Sequence, residues 1–244
     1  MRAWLIEEPG APEALQLGEL DTPKPGPQEV RVDIRAIGIN RADLIQRKGG
    51  YPPPKGFDPR CPGLEYAGEV VEVGDRVIGR RVGDRVMGLI GGAAYAEQLV
   101  THERDTLDIP AHYDYAQAAA IPEAFLTAYR ALFLVGELAP GQWALVRGAT
   151  SGVGQAGLQL IRPLGARSIA TSRSQARLDD LDARLRALGL PLPHGLVPSR
   201  LRRAVRRLLG DGARAALRGQ RRSPLLSRER ILLGSYADRD RQRL

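Results

Sequence analysis

A glycine-rich turn set between a short apolar strand and an amphipathic helix constrains this chain more than any other feature. Trp143–Val146 reads as a buried strand, and Gly148-Ala149-Thr150-Ser151-Gly152-Val153-Gly154 follows it directly. Gln155–Leu164 then carries Ala156, Leu160 and Ile161 at helical spacing, and Arg167–Ala170 enters a second strand. Strand, glycine turn, helix and strand make one βαβ unit of a dinucleotide-binding fold. Glycine permits the tight turn and lets backbone approach a pyrophosphate with no Cβ in the way. The N–H groups at the helix start, around Gly152–Gly154, face that anion, and the helix dipole favours it. A plain structural turn is the competing reading. About 20 residues beyond such a turn lies the position that separates the two nicotinamide cofactors. Here that stretch is Thr171-Ser172-Arg173-Ser174-Gln175-Ala176-Arg177, with two arginines and no acid. A hydroxyl and a guanidinium suit a 2′-phosphate, so NADPH is expected over NADH. Solvated arginines at an exposed strand end are the alternative.

The rest of the chain divides by its hydrophobic period. From Met1 to about Ile109, short β runs alternate with Gly and Pro. Val30–Ile37 sets Val30, Val32, Ile34 and Ala36 against Arg31, Asp33 and Arg35, the signature of a half-buried strand. Gly68–Val73, Asp84–Leu89 and Ala94–Val100 are further strand candidates, and together they predict a small barrel-like β domain. Thr22–Pro27 is a stiff connector and Tyr51-Pro52-Pro53-Pro54 a rigid loop, because proline fixes φ and removes a donor. From Tyr113 the period becomes helical, over Ala116–Ala120 and Pro122–Val135.

Composition excludes several classes. The 244 residues suffice for one large domain or two modest ones. The single cysteine, Cys61, excludes an intramolecular disulfide framework and a Cys-rich zinc site. No apolar run is read as approaching the roughly 20 residues of a membrane helix. Met1–Glu7 lacks the layout of a signal peptide, so no membrane role and a cytoplasmic location are expected. The net charge of +8 is uneven: Met1–Arg177 carries −1 and Leu178–Leu244 carries +9, all of whose cations are arginine.

Five segments in order carry a resemblance. They are Gly38-Ile39-Asn40-Arg41-Ala42-Asp43-Leu44, Pro62-Gly63-Leu64-Glu65-Tyr66-Ala67-Gly68, Val82-Gly83-Asp84-Arg85-Val86, Ala118–Tyr129 and Gly148–Gly154. Over Met1–Arg177 the chain resembles the zinc-independent NADPH:quinone oxidoreductase (zeta-crystallin-like) branch of the medium-chain dehydrogenase/reductase superfamily. The resemblance implies an α/β architecture: a GroES-like β-barrel domain over 1–112, then a Rossmann-type doubly wound domain over 113–189, incomplete at its C-terminal end. It implies a cleft for NADPH and substrate, and dimers joined at the Rossmann sheet edge. It also implies hydride transfer to a quinone or related electron-poor acceptor, or to an activated C=C of an enone or enoyl thioester.

Carried over by position, Asn40 and Tyr51 are the candidate catalytic residues. Thr127, Ser151, Gly152, Val153, Gly154, Ser174 and Arg177 are the candidate NADPH contacts. Asn40 stands where zinc-dependent relatives have Cys, and Leu64 where they have His; neither supplies the thiolate or imidazole that zinc requires, so no metal is expected. Each residue has a plainer role: Tyr51 as packing, Asn40 and Thr127 as local backbone partners, and Glu65 as a brace in the barrel. His102, His112 and His194 are scattered and read as surface residues.

The segment 190–244 matches none of this. Val197, Val205 and Ile231 are its only β-branched aliphatics, too few for several buried parallel strands. An aberrant continuation of a GC-rich coding sequence, a basic arm for polyanions built on Leu201–Leu209, and a solvated tail compete for it. With one aromatic, Tyr236, nucleic-acid binding is disfavoured, and an inactive, truncated relative with a polyanion-binding tail stays open as a whole-chain alternative.

Overall fold

In the computed structural model, residues 1–187 and 195–196 are described, and most of the Arg-rich segment lies outside them. The chain divides into two compact units, Met1–Glu123 and Ala124–Leu244.

The first unit is built on antiparallel strands. β1 (Arg2–Ile6) and β2 (Leu15–Glu19) form a hairpin that the sequence pattern does not announce. β3 (Glu29–Ile37), β4 (Glu65–Val73), β5 (Arg85–Leu89), β6 (Gln98–His102) and β7 (Thr106–Asp108) form a five-stranded sheet in the order β6-β3-β4-β5-β7. Alternation along β3 buries Val30 and Val32 against Tyr66, Val70, Val86 and Leu99. Two register shifts between β3 and β4 bend the pair. At Gly68 the strands pass so closely that a Cβ would meet the Asp33 carbonyl. The strand expected from Ala94 begins only at Gln98; Tyr95 instead accepts the Trp4 N–H and Ala96 makes a single bridge to Ala3, which ties the hairpin to the sheet.

A short helix, α1 (Arg41–Gln46), follows β3, and α2 (Tyr115–Ala119) packs Ala118 and Ala119 against Ala67, Met87 and Ile109. Asp114 caps α2 through the Gln117 N–H. α3 (Pro122–Tyr129) opens on proline, whose missing N–H costs nothing at a helix start. It runs on as a wider π-helical turn over Arg130–Val135.

The helical stretch Tyr115–Val135 spans 21 residues and contains an 18-residue window with a mean hydropathy of 1.4, enough by length and composition to cross a membrane. That corrects the expectation that no apolar run reaches such a length. The stretch is broken at Ala120-Ile121, and its first turn is anchored in the β-domain core, so it is not one continuous span.

In the second unit, β8 (Trp143–Arg147), β9 (Arg167–Thr171) and β10 (Gly195–Leu196) form a parallel sheet in the order β10-β9-β8. The segment from Leu190, whose composition argues against several buried strands, still contributes this one. α4 (Gly152–Ile161) and α5 (Gln175–Ala187) pack on the sheet. Leu158 and Ile161 of α4 and Leu178, Leu181 and Leu185 of α5 close a core with Ala144, Val146 and Ala170. A β domain followed by a parallel α/β unit is the expected fold class. α4 ends at Ile161 rather than Leu164, and Pro163 lies just beyond it, where proline stops a helix.

Candidate functional site

The first group of candidate residues gathers where β3 passes into α1. Asn40 is the N-cap of α1, and its backbone N–H donates to Asp43 Oδ2 at 2.7 Å, closing the turn. The Asn40 side chain reaches across to the first residue of β4: Nδ2 donates to Glu65 Oε1 at 2.8 Å. Glu65 is 3% exposed, and its other oxygen accepts the Glu123 N–H at the start of α3, also at 2.8 Å. Gly38 makes this packing feasible, because a Cβ there would overlap the Glu65 carboxylate. Behind this layer, the Tyr95 hydroxyl donates to Asp43 Oδ2 at 3.1 Å.

Two buried carboxylates therefore share one small region. Burial pushes the Glu65 carboxyl above its ordinary value, against the lowering effect of the Glu123 and Asn40 donors, and the Asp43 charge adds to the rise. Asp43 is raised as well, first by burial, although the Asn40 N–H, the Tyr95 hydroxyl and the nearby Gly63 N–H all favour its anion. Asp43 Oδ1 has no hydrogen bond of good geometry. Tyr51 lies in the proline loop and is 43% exposed, and Ile39 beside Asn40 is also exposed. The sequence signal for this network was the Asn-x-x-Asp spacing of a capping box. Nothing in the sequence pairs Asn40 with Glu65.

The second group lies in the other unit, at the C-terminal ends of β8 and β9. Gly148 adopts φ +68°, in the region that favours glycine. A Cβ on Gly154 would collide with the Gly148 carbonyl and with Ala149, so the helix can start this close to the strand only with glycine there. The Ser151 hydroxyl caps α4 by accepting the Gly154 N–H at 3.1 Å. The turn is tied to β9 by Ala149 N–H to the Thr171 carbonyl at 2.9 Å and by Thr150 Oγ1 beside Ser172 Oγ at 3.4 Å. Ser174 accepts the Arg177 N–H and donates its own N–H to Ser172, so it caps α5. Arg173 and Arg177 are exposed around that cap, and Thr127 is exposed on α3.

A nicotinamide dinucleotide fits the donors of this second group. Gly152 and Val153 open α4 with first-turn N–H groups that have no helical acceptor. The close Gly154 contact leaves no Cβ over the turn, and cations with a hydroxyl stand at the end of β9. Among the described residues, no three His, Cys, Asp or Glu side chains cluster as a metal set. His102 accepts the Arg104 N–H locally, and His194 lies outside the described residues.

Residues 26–125 match the family described as "Alcohol dehydrogenase GroES-like domain". The chain is 43% identical over 142 residues to the synaptic vesicle membrane protein VAT-1 homolog of Rattus norvegicus, covering 57% of this chain and 34% of that protein. It is 42% identical over 166 residues to polyketide synthase GfsB of Streptomyces halstedii, covering 68% of this chain and 3% of the synthase. Among solved structures, an NAD-dependent alcohol dehydrogenase superposes with a TM-score of 0.74 at 32% identity, covering 86% of this chain and 68% of that one. Escherichia coli quinone oxidoreductase complexed with NADPH gives 0.73 at 29% identity, covering 86% and 63%. The chain belongs to the medium-chain dehydrogenase/reductase superfamily. It spans about a third of the length of the VAT-1 relatives and a few per cent of the polyketide synthases it matches.

Proposed function

We propose that this chain is a zinc-free oxidoreductase that passes a hydride from NADPH to a quinone or related electron-poor acceptor. The observation that carries the reading is the Asn40 amide pinned against Glu65, a hydrogen-bond donor standing where a zinc-dependent relative holds a metal ligand. When bound, the nicotinamide supplies the hydride. The protein binds, orients and stabilises charge. Gly152 and Val153 would hold the pyrophosphate through backbone N–H groups, with Ser151 and Gly154 shaping the turn. Ser174 and Arg177 would take the 2′-phosphate, and the family resemblance assigns Thr127 to the same cofactor. Asn40 keeps one Nδ2 hydrogen beyond the one given to Glu65, and this donates to the oxygen on which negative charge develops. Tyr51, half-exposed in a stiff loop, offers a hydroxyl to the same oxygen. Similarity to the NADPH-complexed quinone oxidoreductase supports the cofactor and acceptor.

Similarity to polyketide synthases and to the CurK enoyl reductase structure favours a second reading, reduction of an enoyl thioester with the same hydride geometry. Steady-state NADPH oxidation with 1,4-benzoquinone and with crotonyl-N-acetylcysteamine separates them. The first reading predicts turnover with the quinone and a far lower kcat/KM with the thioester. The reverse order overturns it in favour of the second, and no turnover with either overturns both.

A further inference from the structure

We infer that Glu65 is a positioning residue for Asn40, holding its side-chain amide in the one orientation that leaves a donor free for substrate. The inference rests on the reading of Asn40 as the oxyanion donor. An asparagine amide has two nearly isosteric orientations, which exchange an acceptor for a pair of donors. An ionised carboxylate is acceptor-only, so Glu65 Oε1 admits the amide nitrogen and rejects the amide oxygen. Without that carboxylate only the capping contact of the Asn40 side chain with the Asp43 N–H opposes the flipped orientation, which turns a lone pair toward the developing negative charge.

The surroundings require the anion rather than a neutral brace. Both partners of the Glu65 carboxylate are donors, the Asn40 Nδ2 and the Glu123 N–H. A glutamine in its place has one acceptor oxygen and would set its own NH2 against the other donor. Burying a carboxylate is costly unless its oxygens are satisfied, and here each accepts a bond at 2.8 Å. Gly38 leaves the space the carboxylate occupies, since a Cβ there would overlap it. The second buried acid acts on a different atom: Asp43 holds the Asn40 backbone N–H, while Glu65 holds the side chain. Asp43 and Tyr95 are titratable groups whose charges couple to Glu65.

Asn40 is the only asparagine in the chain, so selective 15N-asparagine labelling of the full-length protein gives a single side-chain NH2 pair. In the wild type, one of its two protons should lie downfield and exchange slowly, and the pair should shift as Glu65 titrates. Glu65→Gln should remove both features. The wild-type titration needs no variant, so the test survives a Glu65→Gln chain that fails to fold. Free-amide signals in the wild type, unmoved by pH, would overturn the inference. In NADPH oxidation with benzoquinone, Glu65→Gln should lower kcat by about tenfold or more while leaving the NADPH Kd within about twofold. The loss should vanish in an Asn40→Ala background, because a positioning residue acts only through its partner. An undiminished loss in that background would assign Glu65 a purely structural role. A wild type that binds no NADPH would sink the functional reading, and the amide signals would still decide whether Glu65 holds Asn40.

Discussion

Gly38 is a small residue with a large effect on the site, because the Glu65 carboxylate occupies the volume that a side chain at 38 would need. Gly38→Ala should displace Glu65, break its bond to Asn40 and cost about 2 kcal/mol of stability, as overpacking of a buried site does. Urea unfolding measures the cost; an unchanged midpoint would show that the carboxylate has room to move. Residue roles of this kind were only half legible in sequence. The local backbone role expected of Asn40 is found at the start of α1, and the Gly148–Gly154 turn follows from the chemistry of glycine. The Asn40–Glu65 bond joins residues 25 apart, and no period or spacing encodes such a contact.

Among the elements, those with a strong hydrophobic period were readable and those without were not. β3, β8 and β9 sit where alternation or short apolar runs place them. The β1–β2 hairpin and α1 went unforeseen because their pattern is weak: β2 keeps most of its side chains exposed and α1 is only 6 residues long. The strand expected from Ala94 starts late for a local reason. Ala93 adopts φ +66°, a left-handed conformation that turns the chain before β6. Ala93→Gly should relieve that strain and raise stability by up to about 1 kcal/mol. A thermal melt checks it; a lower Tm would mean that the Ala93 methyl, which packs beside Cys61 and Tyr95, contributes more than the strain costs.

For the whole molecule, charge and pH behave differently from what the net +8 suggests, since the part that carries the fold is close to neutral. Asp43 and Glu65 have raised carboxyls, so each destabilises the fold at neutral pH. Their penalty lifts as pH falls through their folded values toward the ordinary carboxylate range. Asp58, Glu97 and Glu103 are lowered by the Arg60 side chain, the Arg2 backbone N–H and the Gly79 N–H respectively. Their contribution is intact above the ordinary carboxylate range and is lost as pH falls below it. Stability should therefore hold or rise on mild acidification and collapse only below about pH 4. Glu65→Gln should flatten the upper limb; a curve that keeps its slope there would remove Glu65 as its source. The succession of a β domain and an α/β unit was legible in the change of hydrophobic period, but that change falls at Tyr113 while the units divide after Glu123, because α2 packs on the β-domain core. The Arg-rich segment has too few β-branched residues to announce any element. NADPH-dependent reduction stands or falls on calorimetric titration of the full-length protein with NADPH and with NADH. NADPH should bind at least about tenfold more tightly, and Arg177→Ala should remove most of that difference while barely changing NADH, as loss of a charge-assisted phosphate contact does. Equal affinity for the two cofactors, or no heat from NADPH, would contradict it.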